Sequence, residues 1–429
     1  MEVLNKMDKV LLKLKMIFTD KTLRSRVLFV LGALLFFRLL AAIPISGIDA
    51  LKLQQFITNN QFVGVLNMFS GGGLSNLSIV MMGVGPYITG SIIMQLLTIM
   101  SPRLKALYQE EGEIGRKKFT QFSRLLTIPL AIIQGIGMLY LFKKQGIIGD
   151  LSMFQMFGNL SIIVAGSMLV MWIGELISEF GIGNGVSLII FAGIVAGLPQ
   201  EIAQMIFTFN VANLPLYLLF LAIGLLIVAG VVVVTEAERP IPVTYAKQVR
   251  GDHIAGGTQT YIPLRVNQAG VIPIIFALSI LMFPQLVGTF LQSMTNPILV
   301  SISHGLLWFA NNTWLYSIFY FFFVFIFTYF YTAVTFDPDQ LATNLQKNGA
   351  FVSGIRPGTA TRDYIAKILN RITMIGAVFL GLIAVLPLII KSITGITAFA
   401  IGGTALLIVV SVVLDLIKKI EAQLSMREY

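Results

Sequence analysis

Cysteine is absent from this chain of 429 residues, and histidine occurs only at His253 and His304. Disulfides, thiolate chemistry and Cys/His zinc sites are therefore excluded. Charge is scarce as well. Asp, Glu, Lys and Arg make up 12% of the residues, against about 25% in an ordinary soluble domain. There is no HExxH, no GxSxG and no GxxxxGK[ST], and no pair of aspartates falls within an apolar run. These gaps speak against a metalloprotease, a serine hydrolase, an intramembrane aspartyl protease and a nucleotide-driven motor. The glycines of GIGNG (181–185) follow no strand and form no dinucleotide fingerprint; a tight turn between two spans explains them better. The chain reads as a non-enzyme with no metal and no cofactor.

What the chain has in abundance is apolar surface, at 56% hydrophobic residues. That composition belongs to polytopic membrane proteins. Residues 1–25 are basic and amphipathic, with Leu4, Met7, Leu11, Leu12 and Leu14 among Lys6, Lys9, Lys13 and Lys15, as suits a segment lying on a membrane surface. Ten apolar runs follow, at about 26–45, 76–100, 121–142, 158–178, 185–207, 214–235, 269–292, 314–335, 368–390 and 396–416. The first is too long for a signal-peptide core and is read as a retained span. The expected fold is all-α, with ten transmembrane helices in two five-span halves. The expected divisions are the segment 1–25, a first half at 26–207, a span with a large loop at 208–268, the remainder of the second half at 269–416, and a tail at 417–429.

Net charge is +10, which in a soluble protein would suggest nucleic-acid binding, but the distribution matters more than the sum. Of the 30 Lys and Arg residues, 25 fall on the side of the termini and even-numbered loops, and 4 (Lys52, Lys143, Lys144, Lys391) fall on the other. By the positive-inside rule both termini are cytoplasmic. Arg38 completes the set from within the first span, where it could snorkel outward or pair with a backbone carbonyl. Glu175 and Glu179 sit at the cytoplasmic end of the fourth span, where exposure is cheap. The near absence of mid-span carboxylates counts against an ion-coupled transporter.

Three features exceed what simple spans need. Phe62–Ser70 is apolar and would make a helix of roughly 14 Å, half the bilayer's thickness of about 30 Å. Gly71, Gly72 and Gly73 then break it before the second span, itself loosened at Gly83, Gly85 and Pro86. Such a half-length element is either re-entrant, lodged in an aqueous cavity, or a surface helix capping two spans. Second, cytoplasmic residues 236–268 alternate like a protruding hairpin, and 336–367 hold a short helix candidate and the turn Gly354-Ile355-Arg356-Pro357-Gly358. Both are basic and long for connectors, so they read as docking surfaces or as well-ordered links; Arg250-Gly251-Asp252 is a chance triplet. Third, the spans mix small residues with bulky aliphatics, a pattern that suits helix packing or a pore gated by dewetting.

The stretches GVGPYITGSIIMQLL (83–97), GELISEFGIGNGVSLIIFAGIVAGLP (174–199), PLRVNQAGVIPIIFA (263–277), NGAFVSGIRPGTAT (348–361) and GGTALLIVV (402–410) together resemble the SecY family of protein-conducting channels along essentially the whole chain. The resemblance implies two pseudo-symmetric five-helix halves opening sideways to lipid, with Gln95 and Asn267 at that lateral gate. It implies a constriction ring of Val84, Ile88, Val186, Ile190, Ile275 and Ile408. Two of these are valine, so the empty waist would be slightly wider or lean more on a stopper. It implies a plug formed by Phe62, Val63, Gly64, Val65, Leu66, Asn67, Met68, Phe69, Ser70, Gly71, Gly72, Gly73 and Leu74.

As partner-binding residues the resemblance implies Lys247 and Arg250 of the first large loop and Arg356 of the second. Asp252 and His253 stand where a basic pair is expected, which weakens part of that contact. Implied partners are SecE, SecG, the SecA ATPase, the ribosome with its nascent chain, signal peptides and membrane lipid, without direct DNA binding. The implied setting is the bacterial cytoplasmic membrane. A solute transporter with inverted halves and a membrane scaffold are the competing classes.

Overall fold

The computed structural model describes residues 19–45, 52–53, 56, 67, 70–149, 152–207, 214–245, 248–250, 253–255, 259–292, 296–394 and 398–425. Most of the amphipathic segment 1–25 lies outside them. The chain is predominantly helical and separates into two units, Met1–Val211 with Val412–Tyr429, and Ala212–Ser411.

The first unit holds α1 (Lys21–Ala41), α2 (Gly85–Met100), α3 (Pro102–Gln109), α4 (Gly112–Lys144), α5 (Met153–Phe180) and α6 (Gly185–Phe207). Local signals set the boundaries. Asp20 caps α1 by accepting from the Thr22 amide at 2.9 Å. Ser152 and Gln155 form a reciprocal capping box on α5. Helix packing between lipid-soluble surfaces gains little from burial, so close approach of backbones must supply the contact. Gly90 of α2 lies against the Ser123 carbonyl and Thr127 of α4, and a Cβ at Gly185 of α6 would collide with the Gly174 carbonyl of α5. Arg124 of α4 also pairs with Glu175 of α5 at 2.6 Å. Glu175 is only 17% exposed, so it is a bridging group and not the freely solvated end residue that its position suggested.

The second expected span differs at its start. It is helical only from Gly85, and residues 70–84 form consecutive turns. Gly83 has a φ of 52° and Pro86 sits in the first turn of α2, so the helix cannot extend backward. The turn backbone finds partners in the chain that leaves α1. Ile45 donates to the Leu77 carbonyl at 2.9 Å and Ile79 to the Ile43 carbonyl at 3.0 Å.

The second unit contains α7 (Leu214–Glu236), β1 (Glu238–Tyr245), β2 (Gln248–Arg250), β3 (His253–Ala255), β4 (Gln259–Arg265), α8 (Ile272–Leu291), α9 (Pro297–Asn311), α10 (Thr313–Thr335), α11 (Pro338–Lys347), β5 (Ala350–Val352) and α12 (Thr359–Thr394). It also holds the first part of α13 (Ala398–Ser425). The hairpin expected at 236–268 is present: β1 pairs antiparallel with β4, Ile241 opposite Ile262, and β2 pairs with β3. The short helix expected in the second loop is α11, capped by Asp337 ahead of Pro338.

Two elements of this unit were not anticipated. Helix α9 fills what reads as a connector, started by Asn296 and Pro297. Strand β5 joins the hairpin, giving the order β4-β1-β5, with Val243 opposite Val352.

Helix α12 has 36 residues, about 54 Å at 1.5 Å each, well beyond the hydrocarbon thickness of about 30 Å. Its surplus amino-terminal turns carry Ile365, Ile368 and Ile372 into a core with Ile241, Val243, Leu264, Leu345, Ala350 and Val352. The two large loops are thus one folded platform on the end of a span. Among the described residues six helices are long and apolar enough to cross a membrane, and leucines on α7 such as Leu218, Leu221, Leu225 and Leu226 are openly exposed, as lipid contact requires.

Candidate constriction, stopper and gate

Four of the six ring positions lie in the first unit. Val84 precedes α2 and Ile88 is in its first turn, spaced so that both lie on one face. Both are buried. Their position is fixed from behind by α5: Ser167 donates to the Gly83 carbonyl at 3.1 Å, and a Cβ on Gly166 would strike the Ile79 carbonyl. Val186 and Ile190 repeat the same spacing at the start of α6. Ile190 is fully buried, whereas Val186 is half-buried and lies next to Gly174 of α5. Ser178 accepts from the Gly185 amide at 2.8 Å, tying the start of α6 to the end of α5 across the glycine turn at 181–184. In the second unit Ile275 opens α8 and Ile408 lies on α13; both are buried.

Of the stopper stretch, Phe62 to Leu66, Met68 and Phe69 lie outside the described residues. Asn67 and Ser70–Leu74 are described, and the triple glycine is a turn, as expected. Gly71 and Gly72 have φ of 65° and 82°, a region that costs other residues free energy. The turn is densely bonded. Gly72 donates to the Asn67 carbonyl at 2.8 Å, Leu74 to Ser70 Oγ at 3.0 Å, and Ser75 to Asn67 Oδ1 at 3.0 Å. Arg38 of α1 donates to the Gly71 carbonyl at 3.0 Å. Of the two outcomes open to Arg38 from sequence, snorkelling outward or a backbone carbonyl, the carbonyl is taken, with the residue still exposed. The only hint in the sequence was a lone cation within an apolar run, which insertion scales place at about 2.5–3.5 kcal/mol.

The two residues expected at the lateral gate share a chemical feature. Gln95 is on α2 in the first unit, and Asn267 lies between β4 and α8 in the second. Gln95 Oε1 and Asn267 Oδ1 are both buried and find no hydrogen-bond donor among the described residues. A buried acceptor left unpaired costs roughly 1–3 kcal/mol, so each is poised to accept a donor.

Among the partner-binding residues, Lys247 lies outside the described residues, as does Asp252. Arg250 is the last residue of β2 and pairs with His253 in the tip hairpin. Arg356 is exposed on the turn between β5 and α12, and Thr361, itself buried, donates to its carbonyl at 2.9 Å. Nearby, Arg362 is held further into its charged form by the hydrogen bond to Asp363 and by the charges of Asp363 and Asp339.

The SecY family model matches residues 78–417. The protein translocase subunit SecY of Mycobacterium tuberculosis is 41% identical over 95% of this chain and 96% of its own length. That of Streptomyces galbus is 40% identical over 96% of this chain and 97% of its own. A structure described as that of a protein-conducting channel superposes with a TM-score of 0.64 at 19% identity, covering 93% of this chain and 92% of its own. Sec61 in the canine ribosome-channel complex gives 0.57 at 19%, over the same shares. At that identity the two structures bear on the fold, which they share with this chain. With the family model spanning most of the sequence and full-length relatives at this identity, the chain belongs to the SecY family.

Proposed function

We propose that this chain is the channel-forming subunit of a protein translocase, passing unfolded secretory polypeptides across the membrane and releasing transmembrane segments sideways into lipid. The observation that carries the reading is the match along almost the whole chain to proteins named protein translocase subunit SecY. The solute-transporter alternative draws no support from those relatives, and the described spans offer little titratable machinery for it.

The residue roles are those the family resemblance suggests, and the local geometry supports them. Val84, Ile88, Val186, Ile190, Ile275 and Ile408 form the constriction. Two i, i+4 pairs at helix starts, backed by glycine contacts and a serine bond, suit a rim that must hold its shape while a chain slides past. Aliphatic side chains offer a moving polypeptide no hydrogen bonds, and an empty apolar gap stays dry. Residues 62–74 stopper it from outside, with the bonded glycine turn as their root. Gln95 and Asn267 line the lateral gate, where their buried acceptors would receive donors from an arriving signal peptide. Lys247, Arg250 and Arg356 meet the cytosolic partners, SecA or the ribosome. SecE and SecG are the membrane partners, and the setting is the bacterial cytoplasmic membrane with both termini inside. Support for that orientation is the 25-to-4 split of basic residues.

Because the chain has no cysteine, single cysteines can be introduced one at a time without background. A stalled secretory chain should cross-link to cysteines at several ring positions. Absence of such cross-links, together with substrate-coupled ion uptake in proteoliposomes, would return the transporter.

A further inference from the structure

The glycine turn that ends the stopper stretch is held from two sides within the first unit. On one side stand Phe37 and Arg38, consecutive residues of α1. Phe37 is fully buried, and a Cβ at Gly71 would run into its ring. Arg38 Nη1 donates to the Gly71 carbonyl at 3.0 Å and would lie 3.0 Å from a Cβ at Gly72. On the other side is α6: a Cβ at Gly193 would collide with the Gly71 backbone, and the Ile189 carbonyl lies 3.3 Å from where a Gly71 Cβ would be. Asn76 adds a bond to the Ala41 carbonyl at 3.4 Å, and Ser78 donates to the Gly73 carbonyl at 2.9 Å.

We propose that Arg38 is a positioning residue of the closed channel, a cationic latch that pins the root of the stopper by holding the Gly71 carbonyl. The inference rests on reading 62–74 as the stopper. Gly71 is buried while Arg38 reaches it from an exposed position, and a guanidinium makes a stronger bond to a carbonyl than a neutral donor does. Glycine at 71 and 193 allows the approach. With the root pinned, Gly71–Gly73 give the stretch before them one fixed point of attachment in the first unit. Ile189 and Gly193 share α6 with the ring members Val186 and Ile190, so the latch references the stopper to the helix that carries part of the waist.

The test is resting ion conductance of the complete translocase in planar bilayers, for Arg38→Met, Arg38→Lys and a deletion of 64–73, alone and combined. Arg38→Met should raise resting leak several-fold, and Arg38→Lys should restore much of the seal, since an ammonium still donates to a carbonyl. In the deletion background, where the acceptor is gone, Arg38→Met should add nothing. Equal membrane levels and equal melting of the purified complexes separate these effects from misfolding. If Arg38→Met destabilises the complex, the Lys variant decides: a wild-type seal supports the latch, and a leak matching the deletion in a stable complex overturns it. An unchanged leak in Arg38→Met, or an equal increment with and without 64–73, also overturns it. A deletion that does not leak sinks the stopper reading itself, whereas a leaking deletion beside a tight Arg38→Met sinks only the latch.

Discussion

At the scale of single residues, the proposed constriction is built from aliphatic side chains, which exclude water and offer no hydrogen bonds. In the proposed ring, aliphatic side chains suit a seal that must close around a moving peptide without binding it. Polar or charged replacement at Ile88, Ile190, Ile275 or Ile408 should hydrate the waist and ease opening. The expected outcome is export of precursors with defective signal sequences, measured by protease protection in a reconstituted system. A wild-type export pattern for all four would remove the ring assignment. Arg356 makes the opposite case, an exposed cation on a rigid turn whose backbone is clamped by Thr361. Arg356→Glu should abolish most partner-driven translocation while the protein still inserts and assembles, because reversing a contact charge leaves the platform intact. Normal SecA-driven transport by that variant would exclude the docking role.

At the scale of elements, the joined cytoplasmic platform is the main finding beyond the spans. Ile365 on α12 is fully buried against the sheet. Ile365→Ala should therefore cost about 3 kcal/mol of local stability, seen as faster hydrogen exchange in β1, β4 and β5 with the spans unaffected. If exchange in the sheet does not change, the packing of α12 against it is not what holds the loops. In the membrane the corresponding lever is a glycine. Gly166→Leu would drive a side chain into the Ile79 carbonyl, pushing α5 away from the turn that carries Val84. The expected result is a marked loss of thermal stability in detergent together with a leaky channel. Both spans and platform were partly legible in advance. The hairpin alternation at 236–268 and the short helix candidate within 336–367 are local patterns, whereas β5 is only three residues long. Nothing in Ala350-Phe351-Val352 itself distinguishes a strand from a connector.

At the scale of the whole molecule, two units built from apolar helices carry the family's function through what lies between substrate and lipid. Deleting 64–73 should leave membrane insertion intact and raise resting conductance; unchanged conductance would count against a stopper.

The sequence by itself determined that this chain is a multi-span membrane protein of the SecY family. Hydropathy and motif identity belong to contiguous residues, so they survive without knowledge of the fold. The glycine break after residue 70 was legible for the same reason: positive φ is a property of one residue and its neighbours. Only the tertiary structure decided that Arg38 takes the Gly71 carbonyl, that Glu175 is bridged to Arg124, and that β5 completes a sheet begun more than a hundred residues earlier. Those outcomes depend on which backbones approach closely enough to share a hydrogen bond, and in a membrane protein that choice is made by packing between small residues distant along the chain.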